Sequence, residues 1–452
     1  MAIKLQVITA IVALFSFTQA ASAQSNADST APKSKWSIHF QTTIIGQRHS
    51  GFKSPYRGDN SLADTVEPTA QSLTATLFIG RRLWKNATFY FNPEVSGGKG
   101  LSSASGVAGA LNGETYRVGA VQPQVFIARA YLQQHIPLGN TGYEDVSDDV
   151  NQVADRIPTS RITISAGKFA IADFYDDNSY SKDPRTQFLN WALWANGAWD
   201  YPANTRGYTE GLVVELIKPT YAVRVSTVAV PSIANYHTME YNIDAHSETL
   251  EYEHKLKFGK RTGAVRVIGS TTYSRAPSYA QGMEALLNGK DTSVLSVIRG
   301  NSKGGSYGGH KYGLGLSIDQ QLTDDIGAFC RVGWNDGKYA TWAFTEIDRT
   351  VSGGIAIKGT KWKRPGDVFG VADVVNGISR EHRDFLAAGG YGFIIGDGAL
   401  NYGHENILEA YYNALLTKFF QVTFDYQFVN HPGYNKDRGP VHVFGLRAHI
   451  MF

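Results

Sequence analysis

The stretch VFGLRAHIMF alternates without a break, with Phe444, Leu446, Ala448, Ile450 and Phe452 on one side and Val443, Gly445, Arg447, His449 and Met451 on the other. FQVTFDYQFV behaves alike: Phe420, Val422, Phe424, Tyr426 and Phe428 oppose Gln421, Thr423, Asp425 and Gln427. A period of two sends successive side chains to opposite faces of a strand. Both stretches therefore predict strands with one fully apolar face and one face that carries charge.

The same alternation recurs along the chain in segments of roughly ten residues, from 36–45 to 441–452, about sixteen in all, an even number of the kind that closed outer-membrane barrels have. Only DDVNQVADRI, TQFLNWALWA and EHRDFLAAGG have a helical pattern, and each sits between strands. Every second connection is short, such as WKN after Leu83, KPT after Ile217 and TDD after Leu322. The alternate ones are long, such as 97–123, 172–207 and 277–309. Short turns at one end and long loops at the other predict a closed antiparallel transmembrane β-barrel, an all-β fold with periplasmic turns and extracellular loops. One connection breaks the rule, because 139–160 is long on the short-turn side.

The ends of the chain fit this reading. Lys4, an apolar core from Leu5 to Phe17 and Ala21-Ser22-Ala23 predict a signal peptide over 1–23, which leaves 24–452 as a single barrel domain. No later window holds the run of about 18 apolar residues that a spanning helix needs. A closing strand whose apolar face meets lipid accounts for a terminal Phe452, and its resemblance to the last strand of outer-membrane barrels implies an ending that the outer-membrane assembly machinery reads. The eight tryptophans avoid strand centres, as interfacial girdles require. A soluble β-sandwich is the competing architecture, and the leader and the terminal Phe argue against it.

Composition narrows the function. With 43 basic and 40 acidic residues the net charge is +3, which favours neither nucleic acid nor a polybasic membrane patch. A single cysteine, Cys330, makes no internal disulfide, and its parity points it at lipid. No G-x-S-x-G occurs, and HEN at His404 lacks a second histidine, so neither an enzyme nor a metal or cofactor site is expected.

Parity places Glu94, Arg129, Glu215, Arg224, Glu251, Glu253, Lys255, Arg266, Arg331, Glu409, Asp425 and Arg447 inside, with acids and bases in balance. Lys168 breaks parity and marks a bulge or the outer end of its strand. Of the inward set, Glu94, Arg129, Glu215, Arg224, Arg266, Arg331, Glu409, Asp425 and Arg447 are expected to line the pore. A strongly ion-selective channel would show rings of one sign, so the balance predicts an uncharged solute. Arginines paired with carboxylates suit the hydroxyls of a sugar, although each pair could equally serve to stiffen the wall. The loop 172–207 holds Trp191, Trp194 and Trp199 among Asp, Asn and Arg. These are candidate platforms for a pyranose ring, or else pack the loop onto the wall.

At DDNSYSKDPRTQFLN, GAWDYPANTRG, KWKRPGDVFGVADVVNGISREHRDF, GGYGFIIGDGALNYGHENILEAYY and DYQFVNHPGYNKDRGPVHVFGLRAHIMF the chain resembles the carbohydrate-selective porin family of bacterial outer membranes. The resemblance implies a sixteen-stranded barrel with infolded loops that narrow a sugar-diffusion channel, as a monomer or homotrimer in outer-membrane lipid. A general or anion/phosphate-selective porin is the alternative, distinguished by whether bases outnumber acids where the channel is narrowest.

Overall fold

A computed structural model of the chain describes residues 34–115 and 121–452; the predicted signal peptide lies outside the described residues. Sixteen long strands follow in chain order: β1 Trp36–His49, β2 Ala70–Trp84, β3 Ala87–Gly98, β4 Gln124–Pro137, β5 Arg161–Phe169, β6 Thr209–Ile217, β7 Tyr221–Pro231 and β8 His246–Phe258. The second half comprises β9 Arg261–Ser274, β10 Gly309–Gln321, β11 Ile326–Asn335, β12 Arg349–Gly359, β13 Arg364–Gly377, β14 Glu405–Thr417, β15 Phe420–Asn430 and β16 Val441–Met451. Each pairs antiparallel with its neighbours, and β1 also pairs β16 from Gln41↔Met451 to His49↔Val443. That last ladder closes the barrel and removes the unpaired edge an open sheet would present to lipid.

Alternation decides what each face meets. Phe424, Leu446, Val225, Val332 and Leu250 stand exposed on the outside, while Thr423, Asp425, Arg447, Ser226, Arg331 and Thr249 are buried on the inside. Cys330 is exposed on the outer face. Trp36, Trp84, Trp362 and Phe419 are exposed at the short-turn end and Trp334, Tyr312 and Tyr273 towards the long-loop end, which gives two aromatic girdles. Pro93, with no N–H to donate, sits where β3 and β4 shift register, so Ala128 becomes the extra residue of a bulge. Lys168 lies at the long-loop end of β5 with Glu210 at 3.4 Å, and the β4–β5 register there is continuous. It is a strand end and not a bulge.

Of the three segments with a helical pattern, two give helices, α1 Trp191–Trp194 and α4 Arg380–Ala387. The third gives instead a two-stranded ribbon, Tyr143–Val146 with Asp155–Pro158. Two helices in the loop after β9, α2 Tyr279–Asn288 and α3 Ser293–Ile298, had not been expected. Ser278 caps α2 in a reciprocal box with Gln281.

The apolar core lies inside the barrel. Phe188, Leu193, Trp199, Tyr201, Phe344, Ile347, Phe385, Phe393, Ile394 and Ile395 are buried together, and all of them belong to loops that close over the long-loop end or fold inward. An outer wall solvated by lipid leaves hydrophobic burial as a driving force only inside.

Two outcomes test this parity. Replacement of Phe424 by arginine, mid-strand on the lipid face, should destabilise the barrel by about 2 to 4 kcal/mol in equilibrium folding into vesicles. Cys330 should resist a water-soluble maleimide in the folded protein and label fully after unfolding.

Candidate functional site

The loop between β5 and β6, residues 170–208, does not stand above the barrel. It enters the barrel, and the wall's charged side chains take up its backbone groups. Arg331, fully buried, contacts the Asp176 carboxylate at 2.9 Å and donates to the carbonyls of Leu193 at 2.7 Å and Ser181 at 2.6 Å. Arg447 donates to the carbonyls of Pro184 at 2.6 Å and Gln187 at 2.8 Å. Glu409 accepts the N–H groups of Leu189 at 2.6 Å and Asn190 at 2.9 Å. Asn190 in turn caps α1, accepting from Ala192 N. The segment 107–113 enters beside this loop, with the N–H groups of Ala108 and Gly109 on the Glu405 carboxylate at 3.0 and 2.8 Å. Asp200 accepts four consecutive N–H groups, Trp342 to Thr345, and so ties the loop after β11 to the infolded one.

What these loops leave open is a cavity of about 750 Å³ along the inner wall of β1–β7. Arg129 and Asp173 face each other across 2.7 Å in a two-pronged pair. Arg185 bridges Glu114 at 3.0 Å and Glu94 at 3.3 Å, and Arg224 joins Glu215 at 3.0 Å and Glu251 at 2.9 Å. Lys182 stands 2.6 Å from Asp177, and its ammonium holds that carboxyl down to about 2. Arg206, the remaining cation on the cavity, donates to Gln124 at 2.6 Å and lies over the Phe126 ring at 4.1 Å. The cavity wall is therefore lined by fixed donors and acceptors, and Arg129, Lys182, Arg185 and Arg224 each stand against one or more carboxylates.

The nine charges that parity turned inward divide into two groups. Glu94, Arg129, Glu215 and Arg224 border the cavity. Arg266, Arg331, Glu409, Asp425 and Arg447 are inside the barrel but do not border it. Arg331, Glu409 and Arg447 hold the infolded loop, Asp425 accepts from Gln427 at 3.1 Å beneath it, and Arg266 is paired with Glu253 and Asp319. For these five the expectation of pore lining needs correction, because loop backbone takes the place of water at Arg331, Glu409 and Arg447, and neighbouring wall side chains do so at Arg266 and Asp425. The tryptophans divide too. Trp191 and Trp199 are buried, Trp199 against Tyr175 and Tyr201 with ring centroids 5.9 and 5.3 Å away. Trp194, edge-on to Trp191, is half-buried, and both rings border the cavity, Trp194 with the greater exposed surface.

The family model for carbohydrate-selective porins of the OprB family matches residues 63–452. The chain belongs to this family. Among solved structures it is similar to OprB of Pseudomonas putida at high pH, with a TM-score of 0.66 and 16% identity over 92% of this chain and 94% of that one. It is also similar to the outer membrane channel DcaP of Acinetobacter baumannii, with a TM-score of 0.50 and 10% identity over 95% and 100%. No curated protein matches it. The protein is thus a sugar porin of a Gram-negative outer membrane, and its family and fold are those of a channel.

Sequence reasoning missed the porin's loop-borne charges on the cavity, Glu114, Asp149, Asp173, Asp177, Lys182, Asp183, Arg185 and Arg206, since period two speaks only for strands. Asp183-Pro184-Arg185 was a usable signal: proline breaks the chain's regularity between two charges, and Asp183 accepts from Arg185 N at 2.9 Å.

Replacement of Arg331 by methionine should leave Asp176 buried without its cation, at a cost of about 3 to 5 kcal/mol in folded-state stability. Single-channel records of that variant should be noisier and of higher conductance than wild type, and lysine at the same position should restore part of both.

Proposed function

We propose that this porin passes neutral mono- and oligosaccharides through a weakly binding site between the Trp194 indole and the paired charges Arg129–Asp173 and Arg185–Glu94–Glu114. The observation that carries the reading is the pairing itself. Guanidinium and carboxylate groups held 2.7 to 3.3 Å apart offset most of each other's field at a distance, Arg129 against Asp173 and Arg185 against Glu94 and Glu114, yet each keeps donors or acceptors for a hydroxyl at close range. A solute without net charge gains hydrogen bonds there and suffers no long-range repulsion. The cavity volume falls in the range of small-molecule sites, and an aromatic face beside it suits the apolar face of a pyranose. Affinity in a conducting pore has to stay low enough for the solute to leave.

Trp194 is the stacking residue in this reading, and Trp191 and Trp199 brace the loop that presents it. Replacement of Trp194 by alanine should weaken sugar block of ion current by about 1 kcal/mol, with open-channel conductance unchanged or raised. The Trp191 and Trp199 alanine variants should instead disturb conductance and thermal stability together. Block of the wild-type pore by phosphate, with no block by glucose or maltose-type sugars, would sink this reading in favour of an anion porin.

A further inference from the structure

The periplasmic end of the barrel carries the one connection that departs from the short-turn rule, residues 139–160, and the sugar site above makes no use of it. Its ribbon, Tyr143–Val146 with Asp155–Pro158, delivers a tip that turns upward into the lumen. The tip is closed by reciprocal backbone bonds between Asp149 and Gln152 at 3.0 and 2.9 Å, and Asn151 takes the positive φ of 52° that the reversal requires.

Inward side chains of β1–β3 hold it there. Ser37 donates to the Asp149 carbonyl at 3.3 Å, Asn92 to the Asn151 side chain at 2.8 Å, and Arg82 reaches Asp155 at 2.6 Å. His39 lies 3.4 Å from Asp148. Val153 is buried against Tyr90 at Gly80, where any Cβ would come within 2.7 Å of its methyl group, so the wall has given up a side chain to admit the hairpin. A solvated periplasmic turn would need none of these contacts.

The tip residues Asp149, Val150 and Asn151 border the same cavity as Arg129, Asp173 and Trp194. The hairpin is acidic, with Glu144, Asp145, Asp148, Asp149 and Asp155 against Arg156. Glu144, Asp148 and Asp155 each face a basic side chain. Asp149 is exposed, its carboxylate accepts the Val150 N–H at 2.7 Å, and among the described residues no cation stands beside it.

We propose that segment 139–160 is a second constriction of the channel, on the periplasmic side, in which Val150 and Asn151 set the bore and Asp149 supplies a net negative charge. The inner site admits a sugar by its hydroxyls; the exit then discriminates by charge, so that neutral sugars pass and anionic ones such as sugar phosphates are held back. Only the charge discrimination between sugars rests on the sugar-porin reading.

The test uses the full-length porin in planar bilayers, with Cys330→Ser as background and a heat-modifiable gel shift as the check on folding. In V150C and N151C a positively charged methanethiosulfonate reagent should react in the folded protein and cause a stepwise loss of potassium chloride conductance. Asp149→Lys should lower the cation-to-anion permeability ratio about twofold, as a fixed charge in a narrow passage acts on every ion that enters. Folded V150C and N151C channels that either resist the reagent or, once labelled, conduct like wild type would overturn the constriction. An unchanged ratio in Asp149→Lys would overturn the charge discrimination. Ionic current reads all of these, so an absence of sugar block would count against the sugar site alone and leave the hairpin's result standing.

Discussion

Backbone polar groups inside a barrel have to find partners, and in this porin the wall's buried charges provide them. Arginines take carbonyls: Arg331 those of Ser181 and Leu193, Arg447 those of Pro184 and Gln187. Carboxylates take N–H groups: Glu409 those of Leu189 and Asn190, Glu405 those of Ala108, Gly109 and Gly433. The sign of each wall charge thus decides which way the peptide groups beside it point. Irregular chain gains a defined path through the lumen, and the size of the remaining cavity follows from that path. An uncompensated charge at any of these positions would be expensive, so each anchor is stable only with its loop in place.

Around the open part of the lumen the same residue types serve a different end. There the partner of an arginine is a carboxylate and not a carbonyl, as in Arg129–Asp173 and Arg224–Glu215. Such pairs keep the local field small while leaving hydrogen-bonding edges turned to solvent, which is what separates a sugar channel from one ringed by a single sign of charge. Pairing also holds the long side chains still, which keeps the bore from fluctuating with their rotamers.

How much of this the sequence disclosed follows from what a period of two can say. It separates inside from outside, and Phe424, Leu446 and Cys330 face outward while Asp425, Arg447 and Arg331 face inward. It is silent on what lies further inside, so Arg129 on the cavity and Arg331 beneath a loop look alike in their strands. The distinction is tertiary, set by where residues 170–208 pass. Likewise the three tryptophans of that loop share a composition and differ only in packing, with Trp194 half-buried on the cavity and Trp199 buried away from it. The helix Tyr279–Asn288 was legible in principle from Ser278 and Gln281, which cap its first turn. The segment DDVNQVADRI illustrates the reverse: a helical pattern over ten residues was overridden by pairing between its flanks.

The position of the cavity connects these features. Loops cover the inner face from β11 to β15 and are locked above by a buried cluster in which His382 sits between Asp348 at 3.1 Å and Glu346 at 3.9 Å, with Tyr279 stacked on it at 4.2 Å. The open space is left as an eccentric cavity along β1–β7, one wall built of strand residues and the other of loop residues. The two halves of the barrel therefore act on transport differently. Side chains of β1 to β4, β6 and β7 border the cavity directly, whereas Arg331, Glu409 and Arg447 on the other half hold the loop that forms its opposite wall.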